Sequence, residues 1–156
     1  MGIVRLNHAV LYVRHAPTSA RFYTEVLGFE VVSAIGDKAF FLRGSDSDND
    51  HDLGLFEVGA AGSSGGPRPG LYHLAWQVRT IDELVGVRAR LVEAGSLVGE
   101  SDHGVSTSLY ARDPDGIEFE VMWAVPRAEW PPEIGTWRLD LAGAVSRWSG
   151  IDTADQ

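Results

Sequence analysis

The chain has 156 residues, 44% of them hydrophobic, and a formal net charge of −9. This length supports a compact domain with its own core, and the negative charge argues against nucleic acid or an anionic membrane as a partner. The absence of cysteine excludes disulfides, thiolate metal sites and cysteine nucleophiles, and fits a cytoplasmic location. We expect no signal peptide and no membrane span, because no apolar run approaches the ~20 residues that cross a bilayer.

The first predicted module covers about residues 4–58 and has the order β-α-β-β-β. It opens with an apolar strand around His8 and continues with a helix over residues 17–27, which Gly28 ends. Three further strands are predicted at residues 29–32, 39–42 and 53–58. The acidic stretch between the last two strands lacks the ligand spacing of a calcium loop, so we interpret it as a solvated loop.

A linker and a second module follow. Residues 59–70 contain five glycines, two serines and two prolines, which is the composition of a linker. The second module, about residues 71–123, begins with a strand around His73 and a helix that starts at the capping box Thr80–Glu83. Strands are predicted at residues 97–98, 107–112 and 117–123, with a turn at residues 113–116 (DPDG).

The two modules repeat one pattern, and the repeat aligns two histidines. Residues 6–13 (LNHAVLYV) match residues 71–78 (LYHLAWQV), so that His8 and His73 occupy the same position. Glu120 lies in the apolar last strand of the second module, where a buried carboxylate is costly without a partner. Two imidazoles and one carboxylate are the ligand set of non-haem Fe(II), with coordination positions left open. The sequence therefore predicts a metal site.

Two alternatives to this metal site remain open. The histidines could be ordinary core residues held by hydrogen bonds. Glu118 could replace Glu120 as the ligand, because residues two apart on a strand share a face.

Residues 126–156 lie outside the repeat and contain three prolines and three tryptophans. Tryptophan side chains bury large apolar areas, so this C-terminal extension is expected to pack on the body of the protein or on a partner subunit.

Over about residues 4–123 the chain resembles the vicinal oxygen chelate superfamily, which includes glyoxalase I, bleomycin-resistance proteins and extradiol dioxygenases. Residues 113–120 (DPDGIEFE) resemble the family's final-strand signature and place its ligand carboxylate at Glu120. The resemblance implies an α+β domain over residues 1–125, with two βαβββ modules forming a cupped mixed sheet around a metal site.

Three further segments resemble the extradiol dioxygenases. Residues 51–55 (HDLGL) place His51 where that group has an acid/base histidine beside bound oxygen. Residues 102–106 (DHGVS) place His103 where a histidine helps to position the substrate, and Tyr110 falls where a tyrosine orients it. Leu55, which corresponds to Glu120 in the repeat, cannot coordinate, whereas glyoxalase-like sites have a fourth protein ligand there.

The resemblance implies a homodimeric Fe(II) dioxygenase that cleaves the ring of a catechol-like aromatic with O2. Mn(II) suits the same ligands, so the sequence leaves the choice between the two metals open. Two other functions also remain: a metal-dependent isomerase or epimerase on the same fold, and a non-catalytic protein that binds small molecules such as drugs.

Overall fold

The computed structural model describes residues 6, 8–49, 51–59, 73–133 and 135–154. The chain divides into two compact units, Met1–Pro69 and Gly70–Gln156. The predicted linker lies outside the described residues except for Gly59. In the described part of the chain, no helix is both long and apolar enough to cross a membrane.

The first unit is a four-stranded sheet with one helix. Its elements are β1 (Ala9–Val13), α1 (Ala16–Leu27), β2 (Glu30–Ile35), β3 (Ala39–Arg43) and β4 (Leu53–Glu57). The strand order is β1-β4-β3-β2, with β1 parallel to β4 and the other neighbours antiparallel. His15 caps α1 by accepting a hydrogen bond from Thr18 N, and Gly28 ends the helix at φ +79°. The buried face of α1, which includes Ala20 and Tyr23, contributes to the core of this unit.

The second unit repeats this arrangement. Its elements are β5 (Leu74–Gln77), α2 (Ile81–Glu93), β6 (Leu97–Asp102), β7 (Ser106–Arg112), β8 (Glu118–Ala124) and α3 (Leu141–Trp148). The strand order is β5-β8-β7-β6, again with the first pair parallel. The capping box Thr80–Glu83 forms as predicted. Phe119, Val121 and Trp123 of β8 are almost completely buried, and α2 packs against this strand.

These two units confirm the α+β class and the two βαβββ modules predicted from the sequence. The predicted turn after β7 also forms. Asp113 accepts hydrogen bonds at Oδ1 from the backbone N–H groups of Asp115 and Ile117, and Gly116 adopts φ +81°.

The C-terminal extension packs on the second unit. Packing on the body of the protein was one of the two possibilities expected from the sequence, beside packing on a partner subunit. Trp137 forms an isolated antiparallel bridge with Asp102 at the end of β6. Helix α3 packs against α2, and the ring of Trp148 lies 5.5 Å from the ring of Trp123. Beyond α3, the Thr153 backbone N–H donates to the Arg79 carbonyl at 2.9 Å.

Candidate functional site

In the second unit, the structure brings together two of the predicted metal ligands. His73 lies directly before β5 and Glu120 lies in the neighbouring strand β8. The distance from His73 Nε2 to Glu120 Oε2 is 3.2 Å. The two side chains are 25% and 12% exposed, so the pair is largely but not completely removed from solvent.

The alternation of β8 explains why Glu120 can reach His73. Phe119 and Val121 point into the core of the unit, whereas Glu118, Glu120 and Met122 are only partly buried and share the other face. Glu118 on that face lies 3.5 Å from a guanidinium nitrogen of Arg112. Of the two candidate carboxylates, Glu120 is therefore the one that contacts His73, whereas Glu118 contacts Arg112.

Tyr110 and His103 extend the cluster around His73 and Glu120. Tyr110 in β7 lies directly opposite Glu120 in the register of β7 and β8, and its ring centroid is 5.9 Å from that of His73. His103 follows β6, and its Nε2 lies 2.8 Å from the Tyr110 hydroxyl. Four of the six predicted site residues thus form one continuous group within the second unit.

The other two predicted residues meet in the first unit. His8 lies directly before β1, and His51 lies two residues before β4, the parallel neighbour of β1. Their ring centroids are 4.6 Å apart, with 44° between the ring planes. Phe41 of β3 packs edge-on against His51 at 5.2 Å. His8 and His51 therefore lie together at one end of this sheet.

The loop that precedes His51 is organised around the Asp52 carboxylate. This carboxylate accepts hydrogen bonds from the Gly44 backbone N–H at 2.8 Å, the Ser47 hydroxyl at 2.8 Å and the Asn49 amide at 2.6 Å. The Asp52 backbone N–H donates to the Leu42 carbonyl. Residues 44–49 of the acidic stretch thus form a folded loop that is hydrogen-bonded to the residue directly after His51.

The strand register corrects one detail of the sequence repeat. Val10 of β1 lies opposite Gly54, whereas its counterpart Ala75 of β5 lies opposite Glu120. The second module therefore has one residue more between its paired strands, and the position equivalent to Glu120 is Gly54, not Leu55. Leu55 is fully buried in the core. The inference drawn from Leu55 survives this correction, because glycine offers no side-chain ligand either.

The donor set of the second unit fits a divalent metal ion. Cis ligands ~2.1 Å from one octahedral ion lie roughly 3 Å apart, which matches the separation of His73 Nε2 and Glu120 Oε2. Among the described residues, no group of three or more His, Asp or Glu side chains is arranged to hold a metal. The complete triad of His8, His73 and Glu120, which draws on both units, stays a prediction.

Sequence reasoning missed the partners of His103 in the C-terminal extension. His103 Nδ1 lies 3.2 Å from the Gly135 carbonyl oxygen and 3.2 Å from the Thr136 hydroxyl. The density of tryptophan predicted that the extension packs somewhere. No motif indicated that it reaches His103.

Comparison with known families identifies the superfamily of the chain. Residues 5–121 match the family model of the Glyoxalase/Bleomycin resistance protein/Dioxygenase superfamily. The match covers well over half of the chain, which therefore belongs to this superfamily and has its vicinal oxygen chelate fold.

Three relatives illustrate the range of the family. The chain is 33% identical over 127 residues to the catechol-2,3-dioxygenase of Bacillus subtilis, and 33% identical over 125 residues to biphenyl-2,3-diol 1,2-dioxygenase 3 of Rhodococcus globerulus. These matches cover 80% and 75% of the chain but only 43% and 62% of those proteins. It is also 32% identical over 127 residues to virulence protein STM3117 of Salmonella typhimurium, covering 78% of the chain and 85% of that protein. The crystal structure of STM3117 aligns at a TM-score of 0.56 and 29% identity, covering 80% of the chain and all of the other.

Proposed function

We propose that the protein is a metal-dependent extradiol dioxygenase, which cleaves the ring of a catechol-like aromatic with O2 and works as a homodimer. The observation that carries this proposal is the group in the second unit. A histidine–carboxylate pair of metal-ligand spacing lies beside a tyrosine that is hydrogen-bonded to a second histidine. Similarity to two proteins named as ring-diol dioxygenases supports the choice of reaction.

The metal ligands in this proposal are His73 and Glu120, with His8 as the third. His8 is assigned from the sequence repeat, in which it is the counterpart of His73. Fe(II), or Mn(II) in its place, would supply at these ligands a Lewis-acidic centre with open positions for the two substrate oxygens and O2. Gly54 at the counterpart of Glu120 adds no fourth ligand, which leaves those positions open.

The remaining residues would handle protons and orient the substrate. The Tyr110 hydroxyl and His103 Nε2 are 2.8 Å apart, so together they can take up a proton from a substrate hydroxyl. His51, held beside His8 by the loop around Asp52, would serve as acid or base close to the reacting oxygen. The ring of Phe41 packs edge-on against the ring of His51 and limits its position on that side.

The first test is metal binding by protein purified without oxygen. We expect about one iron or manganese ion per chain, and formation of a yellow ring-cleavage product when catechol and O2 are added. Glu120→Gln should abolish both metal binding and turnover. Glu118→Gln removes a carboxylate on the same face of β8 and is the matched control, which should keep both.

The outcomes separate the remaining functions. Metal without ring cleavage would support the metal site and favour an isomerase or epimerase reaction. Absence of metal even after reconstitution would contradict the site and favour a protein that only binds small molecules. Loss of metal in the Glu118 variant but not in the Glu120 variant would move the ligand to Glu118.

A further inference from the structure

The C-terminal extension reaches a residue of the proposed site through its backbone. It lies beyond residues 5–121, the part of the chain that matches the family model. Its residues Gly135 and Thr136 both place an oxygen 3.2 Å from His103 Nδ1. The opposite nitrogen of the same ring, Nε2, lies 2.8 Å from the Tyr110 hydroxyl.

The chemistry of these partners decides which nitrogen of a neutral His103 carries the hydrogen. A carbonyl oxygen can only accept, so a hydrogen bond to Gly135 requires a hydrogen on Nδ1, whereas the Thr136 hydroxyl can donate or accept and fits either tautomer. Nε2 of a neutral ring then has a lone pair and accepts the hydrogen of the Tyr110 hydroxyl. Because the hydrogen bond at one ring nitrogen fixes the state of the other, the extension controls the nitrogen that faces Tyr110.

We infer that the extension is a positioning element: the Gly135 carbonyl selects the Nδ1–H tautomer of His103 and thereby makes Tyr110 a donor to Nε2. In this arrangement the Tyr110 oxygen is an acceptor in any further hydrogen bond, which suits a substrate that presents a hydroxyl group. This assignment of a role in catalysis rests on the proposed function, whereas the tautomer itself does not.

Close packing holds the carbonyl in place. The backbone N–H and C=O groups of Trp137 pair with those of Asp102 at 2.8 and 3.0 Å, immediately before His103. A Cβ atom on Gly135 would lie 2.7 Å from the indole of Trp137. Gly104 has φ +76°, and a Cβ atom there would lie 2.7 Å from the ring of Pro131. Both glycines thus permit a contact between the extension and the His103 loop that a side chain would disturb.

The test is ¹⁵N NMR of the imidazole nitrogens in metal-free protein, with the His103 signals assigned by their loss in His103→Gln. We expect the Nδ1–H tautomer in the wild type. Gly135→Ala should displace the carbonyl and populate the Nε2–H tautomer, and Gly104→Ala should do the same if the first variant does not fold. Thr136→Val keeps the Gly135 carbonyl and should keep the tautomer.

Trp130→Ala is the matched control, because Trp130 belongs to the same extension and donates instead to the Val125 carbonyl. It should leave the His103 signals unchanged. In the metal-loaded enzyme, Gly135→Ala should lower kcat by about 10–100-fold, the usual effect of removing an orienting partner, with a smaller change in KM.

The possible results distinguish this inference from the proposed function. An Nε2–H tautomer in the wild type, or no change in either glycine variant, would overturn the inference whatever the activity. If the tautomer shifts as expected but the protein cleaves no catechol, the inference about His103 stands and the ring-cleavage function is rejected.

Discussion

At the scale of single residues, the proposed roles divide between ligands and their neighbours. His73 contacts Glu120 directly, whereas the ring of His51 packs on the ring of His8 and on Phe41. A residue that acts as an acid or base beside a ligand, without itself coordinating, should affect turnover more than metal affinity.

His51→Ala tests this division. We expect metal content to stay at the wild-type level while kcat falls by roughly 10²–10⁴-fold, the usual contribution of a general acid or base. Metal analysis and oxygen uptake on the same preparation measure the two quantities. His15→Ala is the control, since His15 caps α1 and should affect stability rather than turnover. Loss of the metal in His51→Ala would contradict the assignment of His51 as a residue that does not coordinate.

The sequence singled out residues that the structure brings together, while their roles stay predictions. His73, Glu120, Tyr110 and His103, which were chosen from the repeat, the turn motif and the family resemblance, form one group in the second unit. The Gly135 contact joins residues 32 positions apart through a backbone carbonyl. A carbonyl group has no signature in the sequence, so this contact could not be predicted.

At the scale of elements, the boundaries that a capping box, a glycine or a turn motif marks in the sequence were predicted well. The capping box of α2, Gly28 at the end of α1 and the turn at residues 113–116 depend on local hydrogen bonds or on positive φ. The second module has one residue more between its paired strands, which makes Gly54 the counterpart of Glu120. This difference depends on how the strands pair in the folded protein. A sequence offset alone therefore assigned Leu55 wrongly.

The end of α3 is attached to the start of α2 by a carboxylate. Asp82 accepts hydrogen bonds from the Gly150 backbone N–H at 2.7 Å and from the Ser149 hydroxyl at 2.8 Å. The Gly150 hydrogen bond, followed by that from Ser149, lowers the pKa of Asp82 from its usual value of 3.8. Protonation of this carboxyl should weaken the attachment of the extension.

We therefore expect the extension to loosen in acid. Because the folded-state pKa of Asp82 is depressed, its contribution is present above about pH 3.8 and is lost as the pH falls through the lower folded-state value. Protection factors of the amides of residues 149–153, in which hydrogen-exchange rates are divided by the intrinsic rate at each pH, measure this loss from pH 6 to pH 3. Asp82→Ala should show fast exchange already at pH 6.

Glu93→Ala is the matched control for Asp82→Ala. It removes the same charge from the other end of α2, where Glu93 is exposed. Slow exchange of residues 149–153 at pH 6 in Asp82→Ala would contradict the role assigned to the carboxylate.

At the scale of the whole molecule, the proposed homodimer has a candidate surface in the first unit. Strand β2 is an edge strand of its sheet, and Val31, Val32 and Ile35 on it are 46%, 38% and 62% exposed. Edge strands with exposed apolar residues pair readily with another chain. A second copy of β2 running antiparallel would continue the sheet and bring the apolar side chains on each face of the two strands next to each other.

Light scattering after size-exclusion chromatography tests this surface. We expect the mass of two chains for the wild type and of one chain for Ile35→Asp, since a buried carboxylate without a partner is costly. Val98→Asp is the control, because Val98 is 53% exposed on β6, an edge strand of the sheet in the other unit. A dimer that persists in Ile35→Asp and dissociates in Val98→Asp would place the interface on β6.

That Gly54 is the counterpart of Glu120 also bears on whether the two modules could replace each other. Two identical modules would be interchangeable, but here the modules differ at the position of the proposed ligand carboxylate. A chain assembled from two first modules would carry two histidines and no such carboxylate, and one assembled from two second modules would carry two of each. The proposed ligand set of two histidines and one carboxylate therefore requires one module of each kind.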